Sequence, residues 1–413
     1  MIKFDRFVLG NGLRVLVHTD KSTSIAAINL LYDVGSRDED PDKTGFAHLF
    51  EHLMFGGSVN VPKYDEPLQL AGGENNAFTS SDITNYYLTL PVKNIETGFW
   101  LESDRMLSLA FDPKSLEVQK NVVSEEYRQV YLNRPYGDTW LLLRDLAYKV
   151  HPYRWPTIGK DISHITNAKM QDVKDFFERF YCPNNAILVV AGDIEVDEVY
   201  ELSQKWFGPI MKGPQNNRNL PKEPEQTQAR FLKAERNVPQ NAIYKAYHCC
   251  KRTDTDYYTV DLLSDILSMG NSSRLYRALV KEERIFSEIN AYITGENDEG
   301  LFIISGKLSE GVSFETAEMH IAEQLEDIQD ALISTSEMKK VHNKIESRLA
   351  LSSIGILNRA MNLATGELLG NPNLINKERN YYGRVSRLDI MEQAQSLFQE
   401  ENCSTLHYVK SKK

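Results

Sequence analysis

MQDVKDFFERFYCPNNAILVVAG, residues 170–192, and DIMEQAQSLFQEENCSTLHYVKS, residues 389–411, can be laid side by side. In each, a helical pattern leads through a cysteine, Cys182 or Cys403, into a short strand. A repeat of roughly 200 residues is far longer than a solenoid period and points to duplicated domains. The expected fold class is α+β, with two homologous domains of about 200 residues, each a mostly antiparallel sheet packed with helices.

Outward from these segments the pattern extends over the chain. Phe7, Leu9, Leu13, Val15 and Val17 alternate around Asn11-Gly12, a hairpin signal. Strand patterns follow at 26–32, 85–90 and 186–191. Helical periodicity begins near Phe46 and recurs at about 94–110, 113–132, 170–180 and 196–206. Asp112-Pro113 is a helix start, with proline where a missing N–H does no harm. Residues 208–228, GPIMKGPQNNRNLPKEPEQTQ, hold four prolines among Asn, Gln and Gly and read as a linker. The expected division is a catalytic domain at 1–208, a linker at 209–228 and a homologous domain at 229–413. Beyond the linker come alternating segments at 229–249 and a helix at about 256–267. The helical SSRLYRALVKEE, the extended SEINAYIT and LFIISGKL, and long helices follow.

The 413 residues are 41% hydrophobic and 25% charged, the make-up of a folded globular protein. With 47 basic and 58 acidic residues the formal net charge is −11, which argues against general nucleic-acid affinity. Four cysteines, none in a CxxC pair, are not a disulfide scaffold. Cys249 and Cys250, read as strand residues, would point to opposite faces. No stretch of about 18 apolar residues appears, so no bilayer-spanning helix is expected. The start, MIKFDRFVLGNGLRVLVHTD, lacks the basic, apolar and small-residue succession of a signal peptide, so a cytoplasmic location is expected.

The chemistry concentrates in TGFAHLFEHLMFGG, residues 44–57, which reads as one helix capped by Thr44 and ended by Gly56-Gly57. His48 and His52 are four apart and share a face, so both can reach one ion. Glu51 is poorly aimed for joint ligation but well placed to accept a proton from activated water. This is the inverted form of the HExxH zinc helix. Two of the nine histidines sit on this single turn beside an acid, and a polar cluster in an apolar helix costs desolvation unless something pairs it. A zinc ion keeping three protein ligands needs one more, best supplied by an acid on another element. Glu125 and Glu126, adjacent on the helix after Pro113, are equal candidates by spacing alone.

The HLFEH motif, the acid-bearing helix with 73 residues between His52 and Glu126, GGENNAFTSSDITNYY at 72–87, SDRMLSLAFDP at 103–113 and HPYRWPTIG at 151–159 resemble the inverzincin metallopeptidases. That family contains pitrilysin, insulin-degrading enzyme and the mitochondrial processing peptidase. The resemblance covers essentially the whole chain and implies a LuxS/metallohydrolase-like fold and zinc-dependent endopeptidase activity on unfolded peptides. It puts the third ligand at Glu126, with Glu51 as the catalytic base, and leaves Glu125 as a neighbouring acid. The family's assisting acid seven residues before the ligand is Gln119 here, which can hydrogen-bond but carries no charge. It implies that substrate pairs with an edge strand matched to Ala77–Tyr86. Asn75 and Asn76 lead into that strand, Ala77, Phe78 and Thr79 lie in it, and Asn76 is placed to hold a peptide carbonyl. An Arg and a Tyr expected in the second half fall on Val280 and Ser287. The chain therefore resembles the zinc-bearing half of a clamshell heterodimer whose partner subunit carries the Arg and Tyr. A homodimeric peptidase and a non-catalytic assembly subunit are the alternatives.

Overall fold

The computed structural model describes residues 1–411. They form two compact units, and each carries one sheet.

The first unit comprises residues 1–128, 155–220 and 350–377. Its sheet uses β1 (Asp5–Val8), β2 (Arg14–Thr19), β3 (Ile25–Tyr32), β4 (Glu74–Thr79), β5 (Thr84–Pro91) and β6 (Ala186–Gly192), in the order β1-β2-β6-β3-β5-β4. Only β2–β6 runs parallel. The turn between β1 and β2 runs from Leu9 to Gly12, closed by Gly12 N donating to Leu9 O at 2.9 Å, with Gly12 at φ +92° in the left-handed region that glycine enters without a Cβ clash. The whole of β6, AILVVAG, is buried, because both sheet faces are covered. Leu16, Ala27, Leu31, Ile187, Val189 and Ala191 pack under Ala360, Leu363 and Ala364 of the helix Ile356–Leu368. On β3, Ala26, Ile28, Leu30 and Tyr32 point the other way and are equally buried, as the two-residue period of a strand requires. There the helix Ile95–Leu107 approaches closely: a Cβ on Gly98 would lie 2.6 Å from Ile28 Cδ1.

The second unit comprises 129–154, 221–349 and 378–411 of the described residues. Its strands are β7 (Arg230–Arg236), β8 (Ala242–His248), β9 (Phe286–Ile293), β10 (Leu301–Leu308) and β11 (Cys403–Lys410), in the order β7-β11-β8-β10-β9. Again one pair, β7–β11, is parallel. One face, with Ile243, Tyr247, Phe302 and Ile304, packs on the helices Tyr257–Ser268, Phe314–Asp330, Thr335–Ser352 and Arg387–Leu397. The other face, with Ala242, Ala246, Leu301, Ile303 and Leu406, is covered by Leu143 and Ala147 of the helix Thr139–Ala147.

The two α+β units with largely antiparallel sheets are as expected, but they do not follow the consecutive division 1–208, 209–228 and 229–413. The reason is apolar burial. The helix from the first half, Thr139–Ala147, belongs to the second unit, and Ile356–Leu368 belongs to the first. Each sheet borrows the cover for one face from the other half of the sequence.

The linker stretch has no regular structure from 212 to 228, yet it is tied down. Arg218 pairs with Asp33 at 3.0 Å and Asp38 at 2.6 Å. Glu223 accepts from the N–H groups of Lys149, Val150 and His151 at 2.7–2.9 Å. Cys249 and Cys250 lie just past the end of β8 rather than on opposite faces of a strand, and all four cysteines are free. Among the described residues no helix is long and apolar enough to cross a membrane.

Candidate metal centre

The helix Phe46–Leu53 buries Phe46, Ala47, Leu49 and Phe50 and turns His48 and His52 outward together. Their rings meet edge to face with centroids 4.9 Å apart. The helix Pro113–Tyr127 lies against this one, anchored at its start by Asp112, whose Oδ2 accepts from Ser115 N at 2.8 Å. It brings Glu126 Oε2 to 3.7 Å from His48 Nε2 and 3.4 Å from His52 Nε2. Glu125, one residue earlier, points to solvent and pairs with Arg128 at 3.3 Å. Geometry thus separates two acids that spacing left equal. His48, His52 and Glu126 are the one group of three such donors within 4.8 Å of one another among the described residues.

This donor set fits zinc. Two imidazole nitrogens and a carboxylate oxygen are its usual ligands, and a tetrahedral centre with bonds of 2.0–2.1 Å has donors roughly 3.3 Å apart. The observed 3.4 and 3.7 Å need little closing. Burial pushes the His48 imidazole down, toward the neutral form that ligates a metal. The Glu126 carboxyl is held below its usual range, first by the hydrogen bond from His52.

Glu51 lies on the same helix, and Thr79 Oγ1 donates to its Oε2 at 2.6 Å. Thr79 ends β4, the edge strand of the first sheet. Along β4, Asn75, Ala77 and Thr79 are half-buried while Glu74, Asn76 and Phe78 are exposed. The expected substrate run Ala77–Tyr86 is not one strand. The chain turns at 80–83, and Tyr86 lies on β5 opposite Ala77. Asn75 and Asn76 lie within β4 itself rather than leading into the strand. Asn75 Nδ2 donates to Asp65 Oδ1 at 2.8 Å, and Asn76 Oδ1 accepts from Ala77 N at 2.8 Å. Gln119 is half-buried, two turns before Glu126 on the same helix.

The expected Thr44 cap is replaced. The residue at the helix start is Gly45, at φ +90° and with no side-chain cap, while Thr44 Oγ1 contacts His164 Nδ1 and accepts from Lys160 N. Glu39, which sequence reasoning missed, takes two N–H groups at this end instead. No pattern of side-chain identity signals it, because its partners here are backbone N–H groups.

Residues 14–148 match the family described as Insulinase (Peptidase family M16), and residues 167–345 match the Peptidase M16 inactive domain. The zinc protease PqqE of Helicobacter pylori is 31% identical over 345 residues, covering 82% of this chain and 78% of that protein. A protease structure from Helicobacter pylori superposes with a TM-score of 0.93 at 27% identity, covering 99% of this chain and 100% of that one. The fold recurs in pitrilysin, with a TM-score of 0.78 at 17% identity, where it accounts for 45% of that longer chain. With a zinc-fitting donor set built from an inverted HxxEH helix and an acid on a neighbouring helix, and with matches over both halves, the chain belongs to the M16 family of zinc metallopeptidases.

Proposed function

We propose that this peptidase is an endopeptidase for unfolded peptides and the zinc-bearing half of a clamshell heterodimer. The observation that carries the catalytic part is the convergence of His48, His52 and Glu126 beside a Glu51 held by the edge strand. Zinc in that donor set supplies a Lewis acid that activates water and polarises a carbonyl. Glu51 receives the proton released by the attacking water and returns it to the leaving amine nitrogen. Thr79 fixes one oxygen of Glu51, so the carboxylate does not have to be oriented anew in each turnover. A peptide added along β4 would lie beside Asn75, Asn76, Ala77, Phe78 and Thr79, using main-chain groups for affinity and alternate side chains for selectivity. Gln119 and Glu125 flank this machinery, Gln119 as a neutral hydrogen-bonding group.

The heterodimer part rests on what the second unit lacks. Val280 packs against the apolar core of its own unit, and Ser287 is an exposed hydroxyl within 3.3 Å of Gln240 Oε1. Val280 has no donor at all, and the Ser287 hydroxyl is uncharged, unlike an Arg, and sits on a far shorter side chain than a Tyr. Loss of one such donor typically costs about a hundredfold or more in rate. The same fold accounts for less than half of pitrilysin, so two such chains are needed to match that length.

The test is to assay an unfolded peptide with the pure chain, then with the protein that co-purifies from native cells. A slow chain, accelerated at least a hundredfold by a partner of similar size bearing an Arg and a Tyr seven apart, supports the reading. Fast turnover by the pure chain, unchanged by any partner, returns the homodimeric peptidase. Absence of zinc and of turnover in every preparation returns the assembly subunit.

A further inference from the structure

Phe46–Leu53 is only eight residues long, too short for a helix to hold itself in water, so tertiary contacts must set its pose. Its start cannot carry a capping side chain. Gly45 sits at φ +90°, and a Cβ there would lie 2.6 Å from Ile158 O. Two N–H groups at this end go to a single carboxylate: Glu39 Oε2 accepts from Gly45 N at 2.9 Å, and Oε1 accepts from Ala47 N at 2.8 Å. Trp155 Nε1 donates to the same Oε2 at 3.1 Å and to Ser36 O at 2.9 Å, pinning the carboxylate from behind. Glu39 and Trp155 are both buried, at 6% and 4% exposure.

We propose that Glu39 is a positioning residue for the metal: its two-oxygen grip on Gly45 and Ala47 sets the tilt and rotation of the helix that presents His48 and His52. The proposal rests on the reading of those histidines as zinc ligands. The lever is short but sufficient. Ala47 and His52 are five residues apart, roughly 7.5 Å along the helix. A 10° tilt about the gripped end would move His52 by about 1.3 Å, more than twice the roughly 0.5 Å that a functional constellation tolerates. Burial pushes the Glu39 carboxyl up to about 8, while the N–H donors pull it the other way. A buried acid with three N–H donors aimed at it suits a fixed anchor.

The test is zinc affinity of the full chain, measured by competition with a chromogenic chelator. Glu39→Gln loses one of the two acceptors, and Glu39→Asp keeps a carboxyl group but is one methylene too short for both contacts. Each should bind zinc at least tenfold more weakly than wild type. Ser386→Ala, which removes the cap of the helix Arg387–Leu397 in the other unit, should bind as wild type does and controls for lost helix caps in general. Wild-type zinc affinity in both Glu39 variants would overturn the proposal, even if their melting temperatures fell. Should neither fold, Trp155→Phe decides in the same way, with weaker binding supporting the grip and unchanged binding overturning it. If wild type itself takes up no zinc, or His48→Ala binds it equally well, the metal reading fails instead.

Discussion

Thr79 Oγ1 donates to Glu51 Oε2 at 2.6 Å, linking the last residue of the edge strand to the acid between the two histidines. Thr79→Val keeps the shape of the side chain and removes the donor. It should leave zinc content unchanged and lower kcat about tenfold, since a hydrogen bond to a charged group is worth roughly 1.5–3 kcal/mol. Thr79→Ser should recover most of the loss. Steady-state kinetics with zinc analysis decides it, and an unaffected kcat in the valine variant would remove Thr79 from the machinery.

Glu126 and Glu125 make opposite predictions from adjacent positions. Glu126→Ala removes a donor 3.4 Å from His52 Nε2 and should abolish tight zinc binding. Glu125→Ala removes a solvent-facing partner of Arg128 and should leave zinc in place. Exposed pairs of that kind contribute about 0–1 kcal/mol, so stability should hardly move. Glu51→Gln should retain the metal and lose nearly all turnover. Zinc titration beside a turnover assay separates the three variants.

These contrasts mark how far the sequence can be read. His48, Glu51 and His52 were legible because one helical turn places them, and period and spacing say so directly. Glu126 was reachable only to within one residue, since adjacent helical positions differ in direction and spacing alone cannot say which faces a neighbouring helix. The hairpin at Asn11-Gly12 and the helix after Asp112 announced themselves through local turn and cap chemistry. Glu39 stayed hidden because its partners are backbone N–H groups, which leave no pattern in side-chain identity. The split of the Ala77–Tyr86 run into an edge strand, a turn and β5 was hidden too. Ser80 and Asp82 make a turn without glycine or proline, closed by Ser80 N donating to Ile83 O at 2.8 Å.

Asp265 provides a pH signature in the second unit. It is buried on the helix Tyr257–Ser268, and burial with the nearby Asp261 pushes its carboxyl up to about 6 from 3.8, against the pull of Arg348 and Lys344. A carboxyl with a raised folded pKa holds a proton that the unfolded chain has released between pH 3.8 and about 6. Its contribution to stability therefore falls as pH rises through that window, and the full penalty remains above it. Asp265→Asn should stabilise the protein at pH 7 by on the order of 1–3 kcal/mol and give no gain below about pH 4. Thermal melts of both proteins across that range check it, and a gain that does not vary with pH would refute the assignment.

The interleaving of the two units yields the last prediction. A polypeptide cut in the linker, giving 1–220 and 221–413, looks from the sequence like two separable domains. The first fragment would lack Ile356–Leu368, and with it the cover for Leu16, Ala27, Leu31, Ile187, Val189 and Ala191. The second would lack Thr139–Ala147, exposing Ala242, Ala246, Leu301, Ile303 and Leu406. An exposed apolar sheet face of that extent favours aggregation. Each fragment expressed alone should be insoluble or bind a hydrophobic dye. Co-expression should give a soluble complex, because each fragment carries the helix the other needs. The polar contacts favour the same reassembly: Glu367 pairs with Arg6 at 2.8 Å, and Asn376 Oδ1 accepts from Ile2 N at 2.7 Å. Leu363, fully buried in the borrowed helix, supplies a finer probe within the intact chain. Leu363→Ala should cost about 2–5 kcal/mol and destabilise the first unit, although the residue lies in the second half of the sequence. Hydrogen exchange would place that loss. Deprotection of β3 and β6 with β8 and β10 unchanged supports the exchanged arrangement, and the opposite pattern would reassign the helix to the second unit.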